Sequence, residues 1–213
     1  TAGWTSAERT VVVATATRAA VVSAGGRSRG AAVPEAEAKV RGVGCISIAT
    51  ARERAEGEGL DRVVVRTVFG PLGVTQTAFN PTAAWRGSIP PTADDHTFRN
   101  RIIQGEVQDE NASVLGGVAG HAGLFATAED LATFAHVLLQ GGAPLVRPET
   151  LAIFTRRESA PAGTSRALGW DTPSSPSQSG KYFSGRSFGH LGYTGTSHWV
   201  DPERQLSITL LTN

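Results

Sequence analysis

The residues best able to do chemistry lie near the end of the chain, in the segment 188–196. This segment places His190 among three glycines, and two threonines follow it. Glycines on a strand let a ligand or another backbone approach closely, and a histidine beside them can bind an anion or move a proton. Two interpretations stay open on the pattern alone: a ligand-binding strand, or a glycine-rich edge strand with a surface histidine.

A serine nucleophile is the next requirement for most hydrolytic chemistry. Residues 185–189 match the G-x-S-x-G pattern around Ser187. In a nucleophile elbow a strand precedes the serine and a helix follows it, so that the hydroxyl is exposed on a strained turn. Here a glycine-rich strand is predicted to follow. The pattern therefore disfavours an elbow, and Ser187 is kept only as an alternative nucleophile.

Two further segments carry polar or glycine-rich patterns. Asp109 and Glu110 could supply an acid/base pair, although neighbouring acids in a loop are typically solvated or capping groups. Residues 115–125 lack the lysine of a phosphate-binding loop and the spacing of a dinucleotide fingerprint. We therefore predict a tight backbone crossing through the core for this segment.

Composition excludes several classes of function. The chain has 213 residues, is 40% hydrophobic and has a net charge of +1, so no strong field attracts nucleic acid or an anionic membrane. No apolar run reaches the length that spans a bilayer. His121 and His136 are isolated from other ligand-type residues, so no metal site or cofactor is predicted. The lone Cys45 in an apolar run is typical of a small buried hydrophobe.

The elements that must position His190 can also be predicted. A strand and hairpin begin in 188–196, a turn follows at 201–204, and 206–211 returns as a second strand. A helix is predicted from an N-cap at Thr127 to the glycines at 141–142. A shorter helix over 147–154 has Pro148 at an early position, and 168–171 is strand-like.

The first part of the chain indicates its secondary structure less clearly. Residues 60–69 predict a short helix ended by Gly70 and Pro71, and the proline-containing stretch 80–113 predicts a long surface excursion. Before residue 60 we predict only a helix or strand near 8–22. The chain has no methionine and no signal peptide at its start, so we expect it to begin inside a processed protein or a fragment.

Four segments, 69–74, 105–112, 115–125 and 188–196, together resemble a known family in their order and spacing. They resemble serine hydrolases of the β-lactamase and penicillin-binding protein superfamily, above all class C-like D-Ala-D-Ala carboxypeptidase-like proteins and related esterases. The resemblance covers about 57–213. It implies an α/β (α+β) sandwich, an antiparallel sheet flanked by helices with an all-helical subdomain, and we expect this fold to be incomplete here. We predict a poorly matching segment 1–59 and a β-lactamase-related portion 60–213.

The resemblance also implies site residues and a reaction. His190 would shuttle protons or bind a substrate carboxylate, and the backbone N–H of Tyr193 would form half of an oxyanion hole. Substrate-binding roles fall on Gly192, Thr194, Gly195 and Asn111. The implied chemistry is acyl transfer through an acyl-enzyme. The ligand would be a β-lactam, a D-Ala-D-Ala peptide or an ester, in a bacterial periplasmic or secreted setting.

The chain departs from the family pattern at the nucleophile. The family's S-x-x-K motif is absent, since Ala36 precedes Lys39 and Gln178 precedes Lys181 by three positions. The tyrosine of a second motif is missing as well. Three hypotheses follow: a hydrolase whose nucleophile segment is missing or garbled, a relative that only binds such ligands, and an esterase that uses Ser187.

Overall fold

A computed structural model of the chain describes residues 9–14, 20–22, 52–53 and 55–212. The helices in this part of the chain are α1 Leu60–Val64, α2 Gly70–Leu72, α3 Ala83–Arg86, α4 Glu110–Val114, α5 Ala128–Leu139 and α6 Pro148–Thr155. The strands are β1 Arg9–Ala14, β2 Ala20–Val22, β3 Ala78–Phe79, β4 Pro91–Asp95, β5 Arg101–Gln104, β6 Leu124–Ala126, β7 Phe188–Leu191, β8 Ser197–Asp201 and β9 Leu206–Leu211. The element predicted near 8–22 is thus strand. The predictions for Cys45 and for most of 1–59 fall outside the described residues.

The largest sheet has the strand order β1-β9-β8-β7. Its strands β7, β8 and β9 form an antiparallel meander, and β1 adds in parallel to β9. A second sheet has the order β2-β6-β3, and β4 and β5 form a separate hairpin. This mixture of helices and mainly antiparallel sheets is the predicted α+β architecture. None of the helices in the described ranges is long and apolar enough to cross a membrane.

Helix α5 covers one face of the large sheet. The predicted cap is present, because the Thr127 hydroxyl accepts a hydrogen bond from the Asp130 N–H at 3.2 Å. On its inner side, Leu138 packs with Phe188 of β7 and Val200 of β8 in one apolar cluster. The face of the sheet on which β7 and β8 carry these residues is therefore the face turned towards α5.

The predicted end of the first helix is wrong. Gly70 and Pro71 do not terminate it, because a π-helical turn, Val65–Phe69, joins α1 to α2. Pro71 stands in the first turn of α2, where a missing N–H costs little. The helical segment ends instead at Gly73, whose φ of 66° is the left-handed conformation that glycine adopts readily.

The stretch 80–113 is more structured than predicted. It contains α3, the β4–β5 hairpin and α4, and it buries Ile89 and Ile103 almost completely. The turn between β4 and β5 is held by a buried ion pair of Arg99 with Asp95, at 2.7 Å. Hydrogen bonds from the Phe98 and Thr97 N–H groups and from Arg99 outweigh burial and lower the pKa of Asp95 to about 2. The sequence did not indicate these long-range contacts, because the residues of this stretch are locally polar.

The glycine-rich segment 115–125 crosses close to its own backbone. Gly123 has a φ of 109°, and a Cβ there would lie 2.3 Å from the carbonyl oxygen of Gly117. Only glycine fits such a crossing. The tight backbone crossing predicted for this segment is confirmed.

Candidate active site

Strand β7 positions His190 through its register with β8. Phe188 lies opposite Val200, and His190 lies opposite His198. Between them, Gly189 lies opposite Trp199, and a Cβ on Gly189 would come within 2.4 Å of that indole ring. The glycine therefore allows Trp199 to cover one face of β7, while His190 projects from the α5 face.

The outer edge of β7 is paired at one end and open at the other. Gly189 exchanges two backbone hydrogen bonds with Asp171, at 2.7 and 2.9 Å. Backbone groups alternate along a strand, so the Leu191 N–H points to the same edge beyond Asp171, and Tyr193 lies in the turn that follows. The Tyr193 N–H makes no hydrogen bond in the described part of the chain. The turn next to the open end of the edge thus contains an unpaired donor.

The turn after β7 is held by its own backbone. The Gly192 N–H donates to the Thr196 carbonyl at 2.8 Å, which extends the ladder one residue past the strand. Gly195 has a φ of 112°, and its carbonyl accepts from the Thr212 hydroxyl at 2.7 Å. A Cβ on Gly195 would lie 2.5 Å from that hydroxyl oxygen. The turn itself therefore requires glycine at 195. Thr194, one residue earlier, is half-buried.

One ring nitrogen of His190 makes a hydrogen bond, and the other makes none within the described residues. Its Nδ1 lies 2.6 Å from the carbonyl oxygen of Leu191. A carbonyl can only accept, so Nδ1 carries the proton and Nε2 is left with a lone pair. Nε2 has no hydrogen-bond partner in the described part of the chain. His190 can therefore accept a proton at Nε2.

The surroundings of His190 favour its neutral form. Burial of the ring lowers its pKa and outweighs the hydrogen bond to Leu191, which acts in the opposite direction. Arg166 lowers the pKa further, and Asp171 raises it. These two side chains lie 3.7 Å apart at their charged atoms, beyond the outer edge of β7. At neutral pH the imidazole is thus an uncharged base.

Ser187 lies in the interior, immediately before β7. It is 0% exposed, and its hydroxyl is 3.3 Å from the hydroxyl of Ser184. Ser184 in turn donates its backbone N–H and its hydroxyl to the buried carboxylate of Asp201, at 2.8 and 2.7 Å. This cluster joins the start of β7 to the end of β8. Within the described residues, the Ser187 hydroxyl has no histidine or lysine as a hydrogen-bond partner.

Asn111 is exposed on α4, and α4 makes at most marginal contact with β7. Within the described residues, Asn111 makes no hydrogen bond to the strand that carries His190. Its neighbour Asp109 is the N-cap of α4 and accepts from the Ala112 N–H at 2.8 Å. The same oxygen lies 3.0 Å from Nε2 of the buried His121. Asp109 is thus a capping group, as expected for neighbouring acids.

Sequence reasoning missed three residues around His190. His198 faces it across the hairpin, and Asp171 and Arg166 flank the outer edge. The register of the predicted hairpin could have indicated His198, because a strand–turn–strand pattern fixes which residues are opposed. Asp171 and Arg166 lie in an irregular segment and carry no such signal. Groups of three or more metal-ligating side chains do not occur within the described ranges.

Comparisons with known proteins define the class. The beta-lactamase family model matches residues 43–213. A protein of Salmonella paratyphi B, provisionally named a D-alanyl-D-alanine carboxypeptidase, is 36% identical over 176 residues. The alignment covers 72% of this chain and 40% of the relative, and a Salmonella newport protein gives the same values. The chain therefore spans about 40% of the length of these curated relatives.

Solved structures agree on the fold. A beta-lactamase from Mycobacterium bovis superposes with a TM-score of 0.58 at 23% identity, covering 80% of this chain and 54% of the other. A penicillin-binding protein homologue from Caulobacter crescentus gives a TM-score of 0.54 at 16% identity, with coverages of 76% and 50%. The architecture is thus that of the beta-lactamase and penicillin-binding proteins. The chain belongs to the beta-lactamase family.

Proposed function

We propose that the β7 edge is the carbonyl-binding and proton-transferring side of a serine hydrolase active site. The reaction is acyl transfer through an acyl-enzyme, on a β-lactam, a D-Ala-D-Ala peptide or a carboxylic ester. Membership of the beta-lactamase family supports the reaction class, and the name of the Salmonella relatives supports a peptidoglycan-like substrate. In this proposal residues 60–213 carry this half of the site.

The arrangement of His190 carries the proposal. Its Nδ1 donates to the Leu191 carbonyl, so the Nε2 lone pair is free, and the turn that follows the strand contains the unpaired Tyr193 N–H. A base and a hydrogen-bond donor for a carbonyl oxygen are two parts of an acyl-transfer site. Glycines at 192 and 195 leave room for a planar acyl group beside them, and we assign Thr194 and Asn111 to substrate binding.

These groups account for each proton transfer in the proposed reaction. A serine hydroxyl attacks the substrate carbonyl, and its proton passes to Nε2 of His190. The oxyanion that forms accepts a hydrogen bond from the Tyr193 N–H. As the C–N or C–O bond breaks, His190 returns the proton to the leaving amine or alcohol. Water then repeats the sequence on the acyl-enzyme and releases the acid. His190 is suited to this role because it is neutral before the attack.

Turnover and adduct formation test the proposal together. The full chain is incubated with nitrocefin, a short-chain p-nitrophenyl ester and a fluorescent penicillin, and its intact mass is then measured. We expect hydrolysis or an acyl adduct in wild type and a loss of about 100-fold or more in His190→Gln. His96→Gln is the matched control, because His96 is exposed and its Nε2 pairs with Asp94 of β4. Equal rates in wild type and His190→Gln would contradict the proposal.

Binding without turnover is the second candidate function. The absence of an S-x-x-K motif favours it, because no serine is then paired with an activating lysine. It predicts reversible binding of the fluorescent penicillin, lost in His190→Gln, with no added mass. If an adduct does form, the Ser187→Ala variant tests the third hypothesis, an esterase that uses Ser187 as its nucleophile. An unchanged adduct in that variant eliminates Ser187 as the nucleophile.

A further inference from the structure

The turn that follows β7 carries one large side chain. Residues 192–196 have the sequence Gly-Tyr-Thr-Gly-Thr, so Tyr193 stands among glycines and threonines. Thr194 is half-buried and Thr196 is buried, whereas Tyr193 is 53% exposed. The aromatic ring of Tyr193 is therefore the largest side chain that this turn presents to solvent.

The Tyr193 ring has no partner in the described part of the chain. It stacks on no other ring there, and its hydroxyl makes no hydrogen bond. By contrast, the rings of Trp170 and Phe188 lie 5.1 Å apart, and those of Phe183 and Trp199 lie 6.0 Å apart. Single exposed apolar residues are common on protein surfaces, so exposure alone does not identify a site. The backbone that carries this ring supplies the second observation.

Hydrogen bonds at both ends of the turn fix the position of the Tyr193 backbone. The Gly192 N–H donates to the Thr196 carbonyl at 2.8 Å, and the Gly195 N–H donates to the Gly192 carbonyl at 3.2 Å. The Gly195 carbonyl accepts from the Thr212 hydroxyl at 2.7 Å. Only the two side-chain torsions of Tyr193 are then left to adjust. A tyrosine on a fixed backbone loses little conformational entropy when it binds a ligand.

The exposed ring and the unpaired N–H belong to the same residue. The Tyr193 N–H makes no hydrogen bond in the described part of the chain. A carbonyl oxygen bound to it would lie about 3 Å from the nitrogen, which is one bond away from the Cα that bears the ring. Rotation about the Cα–Cβ bond between staggered positions can then bring the ring against a substituent beside that carbonyl.

We propose that the Tyr193 side chain is a specificity-determining residue, which selects acyl groups with an aromatic or bulky apolar substituent beside the reactive carbonyl. The inference rests on the proposed function, because it requires a carbonyl bound at the Tyr193 N–H. It extends that function by naming the class of acyl group. A substituent that packs on the ring removes apolar surface of both from water, and an acetyl group is too small to cover the ring.

Competition against a fluorescent penicillin tests the inference on the full chain. The competitors are benzylpenicillin and the penicillin in which an acetyl group replaces its phenylacetyl group, so the two differ only in the phenyl ring. Wild type should bind benzylpenicillin about fivefold or more tightly than the acetyl compound. Tyr193→Ala should reduce this preference to about twofold or less. Tyr193→Phe should retain the preference, because the ring remains and the hydroxyl makes no hydrogen bond.

Tyr182→Ala is the matched control. Tyr182 is the other tyrosine of the chain, and it is 82% exposed in the segment before β7. This variant should keep the wild-type preference. Equal binding of the two competitors by wild type, or a preference that survives in Tyr193→Ala, would overturn the inference. If wild type binds none of the penicillins, the proposed function itself fails and the inference fails with it.

Discussion

Acidification from pH 7 to pH 4 should destabilise the protein through His198. Burial lowers the pKa of this imidazole from 6.5 to about 4. Below pH 6.5 the unfolded chain binds a proton that the folded chain rejects, so the stabilisation present above pH 6.5 is lost as the pH falls to about 4. The difference between these two values corresponds to about 3 kcal/mol. That is a large part of the 5–15 kcal/mol typical of folded proteins.

Urea unfolding across this pH range measures the effect. The free energy of unfolding is taken from tryptophan fluorescence at pH 7, 6, 5 and 4, for wild type and His198→Leu. The variant should lose about 3 kcal/mol less than wild type over the range, because its side chain does not titrate. His96→Gln is the control for the loss of a histidine, since His96 is 79% exposed.

Two outcomes would refute the reasoning. If wild type and His198→Leu lose the same stability between pH 7 and 4, His198 is not held neutral by the fold. If stability falls only below pH 4, the loss belongs to carboxylates instead. The pKa of Asp201 and that of Asp95 are both lowered, so these carboxylates titrate at the acid end of the range or below it.

Three substitutions test other parts of the fold. Asp201→Asn replaces an acceptor of the Ser184 N–H with a donor and should cost about 3 kcal/mol in urea unfolding. Gly189→Ala places a Cβ within 2.4 Å of Trp199 and should cost about 2–4 kcal/mol, seen as a lower melting temperature and altered indole fluorescence. Asp109→Ala removes the N-cap of α4 and should cost about 1–2 kcal/mol by the same unfolding assay.

Two of these substitutions, Asp201→Asn and Asp109→Ala, have a neighbour that serves as a control. Glu203→Gln lies in the same turn as Asp201 but contributes only its backbone N–H there, so it should stay within about 0.5 kcal/mol of wild type. Glu110→Ala follows the N-cap and should behave similarly. If a control loses as much stability as its partner substitution, the named hydrogen bonds are not the cause.

The sequence predicted the elements whose signals are local. Thr127 as a cap and the glycines at 141–142 bound α5, because capping and helix termination depend on neighbouring residues. The β7–β8–β9 meander followed from its turn residues in the same way. The resemblance to the beta-lactamase family was confirmed, since it rested on several segments in register and not on a single motif.

The rest depends on contacts between distant residues. Gly70 and Pro71 have the composition of a helix end, yet packing continues the helical segment past them to Gly73. Asp201 and Ser184 are 17 positions apart, so no local pattern indicates that they join the start of β7 to the end of β8. The roles of Tyr193 and Asn111 remain predictions, because they concern a ligand.

Amide NMR with a penicillin gives the most direct test of the central claim, that the open end of the β7 edge binds an acyl carbonyl beside His190. The penicillin is titrated into the full chain, and the amide shifts of 188–196 are followed with the His190 ring signals. The account predicts that the largest changes fall on the amides of Leu191, Gly192 and Tyr193 and on the His190 ring. Changes confined to other surfaces, or none at saturating penicillin, would contradict it.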